Sequence, residues 1–363
     1  MARFALLGTR GIPAHYGGFE TFAEELATRL VGRGHRVTVY CRQDHTKSPY
    51  RGVDLIYLPA IRLKYFETIT HTALSTLHLL FHRHDAVLYC NAANAIFTIL
   101  PRALGMPVAL NVDGLERNRK KWNSIAKRWY RVSEWLATKL PTRIVTDAQE
   151  IERYYKERYG EPSDFISYGA ETHALESREE LDRLGLEPRQ YFLYVSRMEP
   201  ENNGLLVREA FERLHTAMRL ALVGDAPYAA DYIARVHNTK DPRIVIPGAI
   251  YGQGYKELQS HCFVYIHATE VGGTHPALIE AMGRGAFTVY LNTPENAEVA
   301  GDAGIPFEQG TLVQTLELAL RMNEAERQRY RDKARRRVEE RYSWEAVTTA
   351  YEQLLQRLTG TAQ

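Results

Sequence analysis

The sequence predicts an α/β protein built from two Rossmann-like, doubly wound domains. Three observations carry that prediction. Short β-branched and aromatic runs alternate with amphipathic helical stretches. The rhythm stops in a polar segment near the middle of the chain and then starts again. A chain of 363 residues, 45% hydrophobic and 25% charged, is also long enough to bury two cores.

In the first half the apolar runs are "RFALLG", "HRVTVYC", "VDLIYLP", "AVLYCN", "PVALNVD" and "RIVTDA". Continuous apolar runs of this length suit parallel strands covered on both faces. The second half repeats the pattern with "YFLYVSR", "RLALVGD", "RIVIPG", "CFVYIHA", "FTVYLN" and "GIPF". Between the two sets, residues 165–185 are polar and interrupted by glycine and proline, as in a linker. The expected division is a first domain over 1–168, a second over 169–343, and a C-terminal helix over 344–363 that crosses back to the first domain.

The helical stretches follow the same logic. Phe22, Ala23, Leu26, Ala27 and Leu30 keep a 3.6-residue period after Phe19, and Gly32 and Gly34 then provide a stop. Leu206, Ala210, Phe211 and Leu214 repeat the period after the first strand of the second half. Val347, Tyr351, Leu354, Leu355 and Leu358 give the C-terminal helix an apolar face to bury. The run "NEAERQRYRDKARRRVEER" is dense in both signs of charge and reads as a solvated helix face.

Composition narrows the function. A formal net charge of +2 gives no global attraction for nucleic acid, so an anionic partner must be met locally. Cys41, Cys90 and Cys262 stand far apart in apolar runs, without a CxxC pair or metal-ligand spacing, and are expected to be buried and reduced. The apolar run at the N-terminus is too short for a signal peptide, and no run approaches the ~18 residues of a membrane span. A cytoplasmic protein is expected.

Doubly wound folds bind ligands outside the carboxyl ends of their strands, so the loops there carry the candidate sites, and two such domains are expected to face each other across a cleft. "LLGTRGIPAHYGGFE" runs from strand through glycine loop to helix. Gly17 and Gly18 let the backbone approach a ligand, and the helix start offers unpaired N–H groups to an anion; a purely structural turn is the alternative. The spacing is not GxGxxG, and no acidic residue ends the second strand, which argues against a nicotinamide dehydrogenase. In "YVSRMEPENNG", Arg197 follows a strand directly and can hold a phosphate through two parallel hydrogen bonds. In "TEVGGTHPALIEAM", Gly272, Gly273, Thr274 and His275 precede Pro276, a favourable first helical residue, and can present N–H groups to a diphosphate. Glu280 lies about one turn further in, suited to accept hydrogen bonds from a ribose.

With these segments in place, the chain resembles the family-4 retaining glycosyltransferases of the GT-B fold over nearly its whole length. "GTRGIPAHYGGFET", "NVDGLERNRKKW", "PENN" and "VGGTHPALIEAM" resemble, more narrowly, a subfamily that adds rhamnose or a related sugar during bacterial surface polysaccharide synthesis. The resemblance implies that Arg197 contacts the donor diphosphate and that Glu280 is the second glutamate of a Glu-x7-Glu motif holding the nucleotide ribose. Two departures stand out. Gly272 occupies the first glutamate's position, with Glu270 two residues upstream, and Asn202 replaces the lysine expected after Arg197. Arg10 is the expected substitute cation. Tyr251 in "PGAIYGQGY" is a candidate to stack on the base.

The implied mechanism is retaining and needs neither a metal nor a protein nucleophile; no Asp-x-Asp occurs in the chain. Asp113 in "NVDGLE" stands where the broader family often carries a histidine directed at the donor sugar, and is the expected catalytic-side carboxylate, with Glu116 second; an Asp-Gly turn is the structural alternative. In "ERNRKKWNSIAKRWYRVSEW", cations interleave with aromatics, which suits a lipid diphosphate or an anionic membrane interface; an amphipathic helix whose tryptophans are core is the structural alternative. Arg117, Lys120, Lys121 and Trp122 are the acceptor or membrane candidates. The expected partners are therefore dTDP-rhamnose, or a uridine diphosphate sugar as runner-up, and a polyprenyl-diphosphate-linked glycan at the inner membrane face. No cofactor, metal or nucleic acid is expected. A nucleotide-sugar epimerase and a non-catalytic nucleotide- or glycan-binding protein are the rival readings.

Overall fold

The structure, a computed structural model, describes all residues except 16, 43–45, 62, 64–65, 121, 227–228 and 361–363. The chain forms two compact units. The first comprises Met1–Asn118, Trp122–Tyr168 and the C-terminal stretch from Trp344. The second comprises Gly169–Ser343, and Arg119 and Lys120 group with it although their sequence neighbours on both sides belong to the first.

The first unit is built on seven parallel strands: β1 (Arg3–Leu7), β2 (Arg36–Cys41), β3 (Asp54–Tyr57), β4 (Ala86–Cys90), β5 (Val108–Asn111), β6 (Arg143–Thr146) and β7 (Asp164–Phe165). Their spatial order is β3-β2-β1-β4-β5-β6-β7. Burial follows from composition: β4 is "AVLYC", and all five of its residues are buried, as the centre of a covered parallel sheet requires. The helix Gly18–Gly32 buries Phe22, Ala23, Leu26, Ala27 and Leu30, the period expected from the sequence. The C-terminal helix Trp344–Leu358 packs on it, with the Phe22 and Tyr351 rings 5.1 Å apart.

The second unit has six parallel strands, β8 (Tyr191–Val195), β9 (Arg219–Val223), β10 (Ile244–Gly248), β11 (Val264–His267), β12 (Thr288–Leu291) and β13 (Ile305–Phe307), in the order β10-β9-β8-β11-β12-β13. The charged run becomes the helix Glu324–Arg341, opened by a reciprocal capping box between Asn323 and Glu326. Only Arg331, Ala334 and Val338 on it are buried. Both sheets thus have the doubly wound form read from the sequence. In each, the strand order reverses beside the first strand, between β1 and β4 and between β8 and β11. Loops leaving the carboxyl ends of strands at such a point diverge and leave a crevice, so these are the places to look for a ligand.

Candidate active site

In the second unit the reversal sets two loops side by side: the one after β8, which carries Arg197, and the one after β11, which carries residues 270–275. Short-range hydrogen bonds fix the first. The Asn202 Nδ2 amide donates to the Arg197 carbonyl at 2.7 Å, and Tyr194 Oη donates to the Asn202 carbonyl at 2.7 Å. Asn203, in the left-handed region at φ 61°, donates its amide to the Ala268 carbonyl at 2.9 Å and to Glu270 Oε1 at 3.0 Å, tying the two loops together. The residue standing where the resemblance expects a lysine is therefore spent on loop closure. Arg197 itself is half-buried, and its guanidinium is engaged by no side chain among the described residues.

The second loop leads into the helix Pro276–Gly283. Proline occupies the first turn and the N-cap, His275, makes no side-chain cap; the Leu278 and Ile279 N–H groups donate to the His275 carbonyl, so the N–H groups on offer to an anion are those at the very start of the helix. His275 is buried. Its Nδ1 lies 2.6 Å from Asn296 Oδ1. Asn296 uses its amide nitrogen on the carbonyls of Thr269 (3.0 Å) and Leu291 (2.9 Å), which fixes Oδ1 as the acceptor and places the ring proton on Nδ1. Burial, reinforced by the charges of Arg119 and Arg197, pushes His275 down to about 4 despite the hydrogen bond to Asn296, so the ring is neutral.

The same ring explains Gly272. A Cβ there would lie 2.3 Å from His275 Nε2, so the first motif glutamate is absent because histidine fills its space. Glu270 has other work: its carboxylate is 2.9 Å from Lys120 Nζ and accepts from Asn203 and Gln309. Glu280 accepts from Tyr255 Oη at 2.5 Å, and Gln259 Nε2 donates to the same hydroxyl at 2.7 Å, so the carboxylate is held in one orientation. Tyr251 caps the helix Gly252–His261 and is 46% exposed.

Sequence reasoning missed several residues here. Glu201 is fully buried, and neither carboxylate oxygen has a hydrogen-bond partner among the described residues. Arg119, also buried, places NH1 3.9 Å from Glu201 Oε1. Arg119 stood in the sequence as one cation in a basic run, with nothing to set it apart. Tyr255 ends "PGAIYGQGY", where only Tyr251 stood out, and Asn296 carried no motif.

In the first unit, the glycine loop after β1 turns at Gly8, where φ is +91° and a Cβ would lie 2.3 Å from the Cys90 carbonyl oxygen. Gly17 caps the helix Gly18–Gly32 without a side-chain bond. The first turn of that helix carries the protein's own Glu20, which is buried and accepts from the Arg10 N–H at 2.9 Å. The Arg10 guanidinium lies 3.1 Å from Glu67, a carboxylate it shares with Arg42 at 3.5 Å. Asp113 follows β5 with φ +58°, an unusual conformation for a residue with a side chain. Its turn is held by Asn111, which accepts from the Asp113 N–H at 3.0 Å and donates to Tyr351 Oη of the C-terminal helix at 2.8 Å. Glu116 is buried and accepts from Trp122 Nε1 at 3.4 Å. Arg117 pairs with buried Glu134, which also accepts from Tyr154 (3.0 Å) and Tyr159 (3.3 Å). Lys121 lies outside the described residues. Among the described residues no cluster of three or more His, Cys, Asp or Glu could hold a metal ion, and no helix is long and apolar enough to cross a membrane.

Comparison with known proteins gives this geometry a context. Residues 1–171 match the family described as "Domain of unknown function (DUF1972)", and residues 189–323 match "Glycosyl transferases group 1". No curated protein matches the chain. Among solved structures, sucrose-phosphate synthase from Thermosynechococcus elongatus is 17% identical, with a TM-score of 0.80 over 99% of this chain and 100% of that one. Anabaena HepE in complex with UDP and glucose is 14% identical, with a TM-score of 0.79 over 98% and 100%. WaaG, a glycosyltransferase involved in lipopolysaccharide biosynthesis, is 17% identical, with a TM-score of 0.73 over 99% and 100%. At these identities the likeness is one of fold, and it extends over both units. Together with the match over residues 189–323, it makes the protein a glycosyltransferase of the GT-B fold.

Proposed function

We propose that the protein transfers a sugar, with retention of anomeric configuration, from a nucleoside diphosphate sugar to a lipid-linked glycan. One observation carries the donor side. An uncapped helix start at His275–Pro276, the side-chain-free guanidinium of Arg197 on the adjacent loop, and an oriented Glu280 one turn behind form the arrangement a diphosphate followed by a ribose requires. Arg119 supports the reading as the second cation, since Arg10 is committed to Glu67 and Asn202 to its own loop.

In the reaction, the bond from the anomeric carbon to the β-phosphate oxygen breaks. A bond from that carbon to the acceptor oxygen forms on the same face. The acceptor proton passes to the leaving diphosphate. Charge grows on the diphosphate as the bond breaks, and Arg197, Arg119 and the Gly272–His275 backbone meet it with fixed positive charge and N–H groups, so the reading assigns no metal to the step. Neutral His275 lines the site without adding charge. Asp113 orients the acceptor or a sugar hydroxyl, and Glu116 is the second candidate for that role.

Thymidine diphosphate rhamnose is favoured by the motif resemblance. A uridine donor is the second reading, supported by the solved HepE complexes with UDP, UDP and glucose, and UDP-glucose. The acceptor we infer is a polyprenyl-diphosphate-linked saccharide at the cytoplasmic membrane face. Incubation of dTDP-rhamnose and UDP-glucose separately with polyprenyl-diphosphate N-acetylglucosamine tests this. One donor is expected to give a disaccharide of unchanged anomeric configuration, and Asp113→Asn to lower its turnover by about 10²–10⁴-fold with donor affinity kept. An isomerised donor without acceptor would identify an epimerase, and neither transfer nor donor hydrolysis would leave a binding protein.

A further inference from the structure

Three helices and a 3-10 turn of the first unit turn large apolar side chains outward. The helix Glu67–Phe81 buries His71, Thr72, Ser75 and Thr76 along with Leu79, while Leu74, Leu77 and Phe81 face outward, the last 85% exposed. The 3-10 turn Ala92–Thr98 and the helix Ile99–Ala103 bury alanines, Asn94 and Thr98, and expose Ile96, Ile99 and Leu100. The helix Ser124–Ala137 buries Ser133 and Glu134 beside Tyr130 and Ala137, and exposes Ile125 (80%), Val132 and Trp135 (52%) together with Arg128 and Arg131. A helix at a water interface places its polar stripe outward. The first three elements largely do the reverse, and the helix Ser124–Ala137 does so in part. They are also neighbours, since the turn Ala92–Thr98 packs against each of the three helices.

An apolar face of this extent on one domain marks an interaction surface. Its charges identify the partner. From residue 66 to 139, the exposed charged side chains among the described residues include Arg83, Arg102, Arg128, Arg131 and Lys139, and no carboxylate is exposed. Arg128 and Arg131 flank Val132 and Trp135 in a shallow recess on the outer side of the helix Ser124–Ala137. Aliphatic side chains at the centre, a tryptophan at the margin and unopposed arginines around them match the interface of an anionic bilayer, with acyl chains below and phosphates at the rim.

We propose that this face docks the protein on an anionic phospholipid bilayer. The docking deepens the acceptor side of the proposed function, since a lipid-linked acceptor is presented at that surface, and it is independent of which donor is used. The proposed docking does not draw on Arg117, which is engaged by Glu134, or on Lys120, which is engaged by Glu270.

Co-sedimentation of the full chain with phosphatidylcholine vesicles, with and without phosphatidylglycerol, tests the proposal. The protein is expected to pellet with the anionic vesicles and to stay in solution with phosphatidylcholine alone. The Leu77→Ser/Phe81→Ser variant and the Arg128→Glu/Arg131→Glu variant are each expected to lose binding, the latter by about tenfold or more at roughly 1 kcal/mol per cation near the surface. Unchanged thermal transitions and donor affinity show that these variants are folded. Quenching of tryptophan fluorescence by brominated phosphatidylglycerol provides a reading on the unmodified chain. Failure of the wild type to bind anionic vesicles, or vesicle binding by both variants equal to the wild type, overturns the proposal. So does a wild-type dimer dispersed by the same substitutions, which would assign the face to a second copy. Loss of vesicle binding with donor binding intact leaves the donor reading standing.

Discussion

At position 272 the departure from the glutamate motif has a steric cause. Gly272 and His275 share one volume, and the neutral ring is pinned by Asn296. Restoring the motif by Gly272→Glu should therefore destabilise the protein by about 1–3 kcal/mol through overpacking and lower its melting temperature. Adding His275→Gly should recover much of that loss. A single Gly272→Glu variant as stable as the wild type would show that the ring moves aside freely. Asn202 and Asn203 teach the same lesson. Their amides build the loop that carries Arg197, a structural use of the asparagine in place of the expected lysine that becomes visible only with the loop closed. Arg119 illustrates what the sequence hid: its significance comes from reaching buried Glu201, far along the chain, and no local pattern encodes that approach.

At the level of elements, the C-terminal helix was legible from its apolar period, and its electrostatic latch was not. Arg33 reaches Glu352 at 2.6 Å and also pairs with Glu345, while His35 Nε2 lies 2.7 Å from Glu352. Burial pushes the Glu352 carboxyl up, but hydrogen bonds from His35 and Arg33 outweigh it and hold the group below the usual carboxylate range. A lowered carboxylate contributes stability above its unfolded value, and that contribution is lost as pH falls through the folded one. Arg33→Ala should cost about 1 kcal/mol or less near neutral pH, because the cluster is partly solvated. The gap between wild type and variant in thermal melts should narrow on acidification through the carboxylate range. A constant or widening gap would exclude the latch. The strands were the most legible elements, because continuous apolar runs are what a doubly covered parallel sheet demands. The two-residue strand β7 escaped because a short edge strand has no such run, and it fell at the head of the segment read as linker.

For the molecule as a whole, two doubly wound sheets and the strand-end location of the candidate loops followed from pattern alone, since strand order and ligand position are linked by the twist and connectivity of such sheets. The outward apolar faces of the first unit did not follow. Thr, Ser and Ala on the inner side and Leu, Ile and Phe on the outer still give a helical period, and period alone does not say which side is buried. The central claim is that the second unit holds a nucleoside diphosphate sugar through Arg197 and the helix that starts at Pro276. Calorimetric titration of dTDP-rhamnose and UDP-glucose into the wild type and Arg197→Ala tests it most directly. Binding of one donor by the wild type, weakened about ten- to a hundredfold in the variant as expected for loss of charged hydrogen bonds worth about 1.5–3 kcal/mol, is the predicted result. Equal affinity in the two proteins, or no binding of either nucleotide sugar to the wild type, would contradict it.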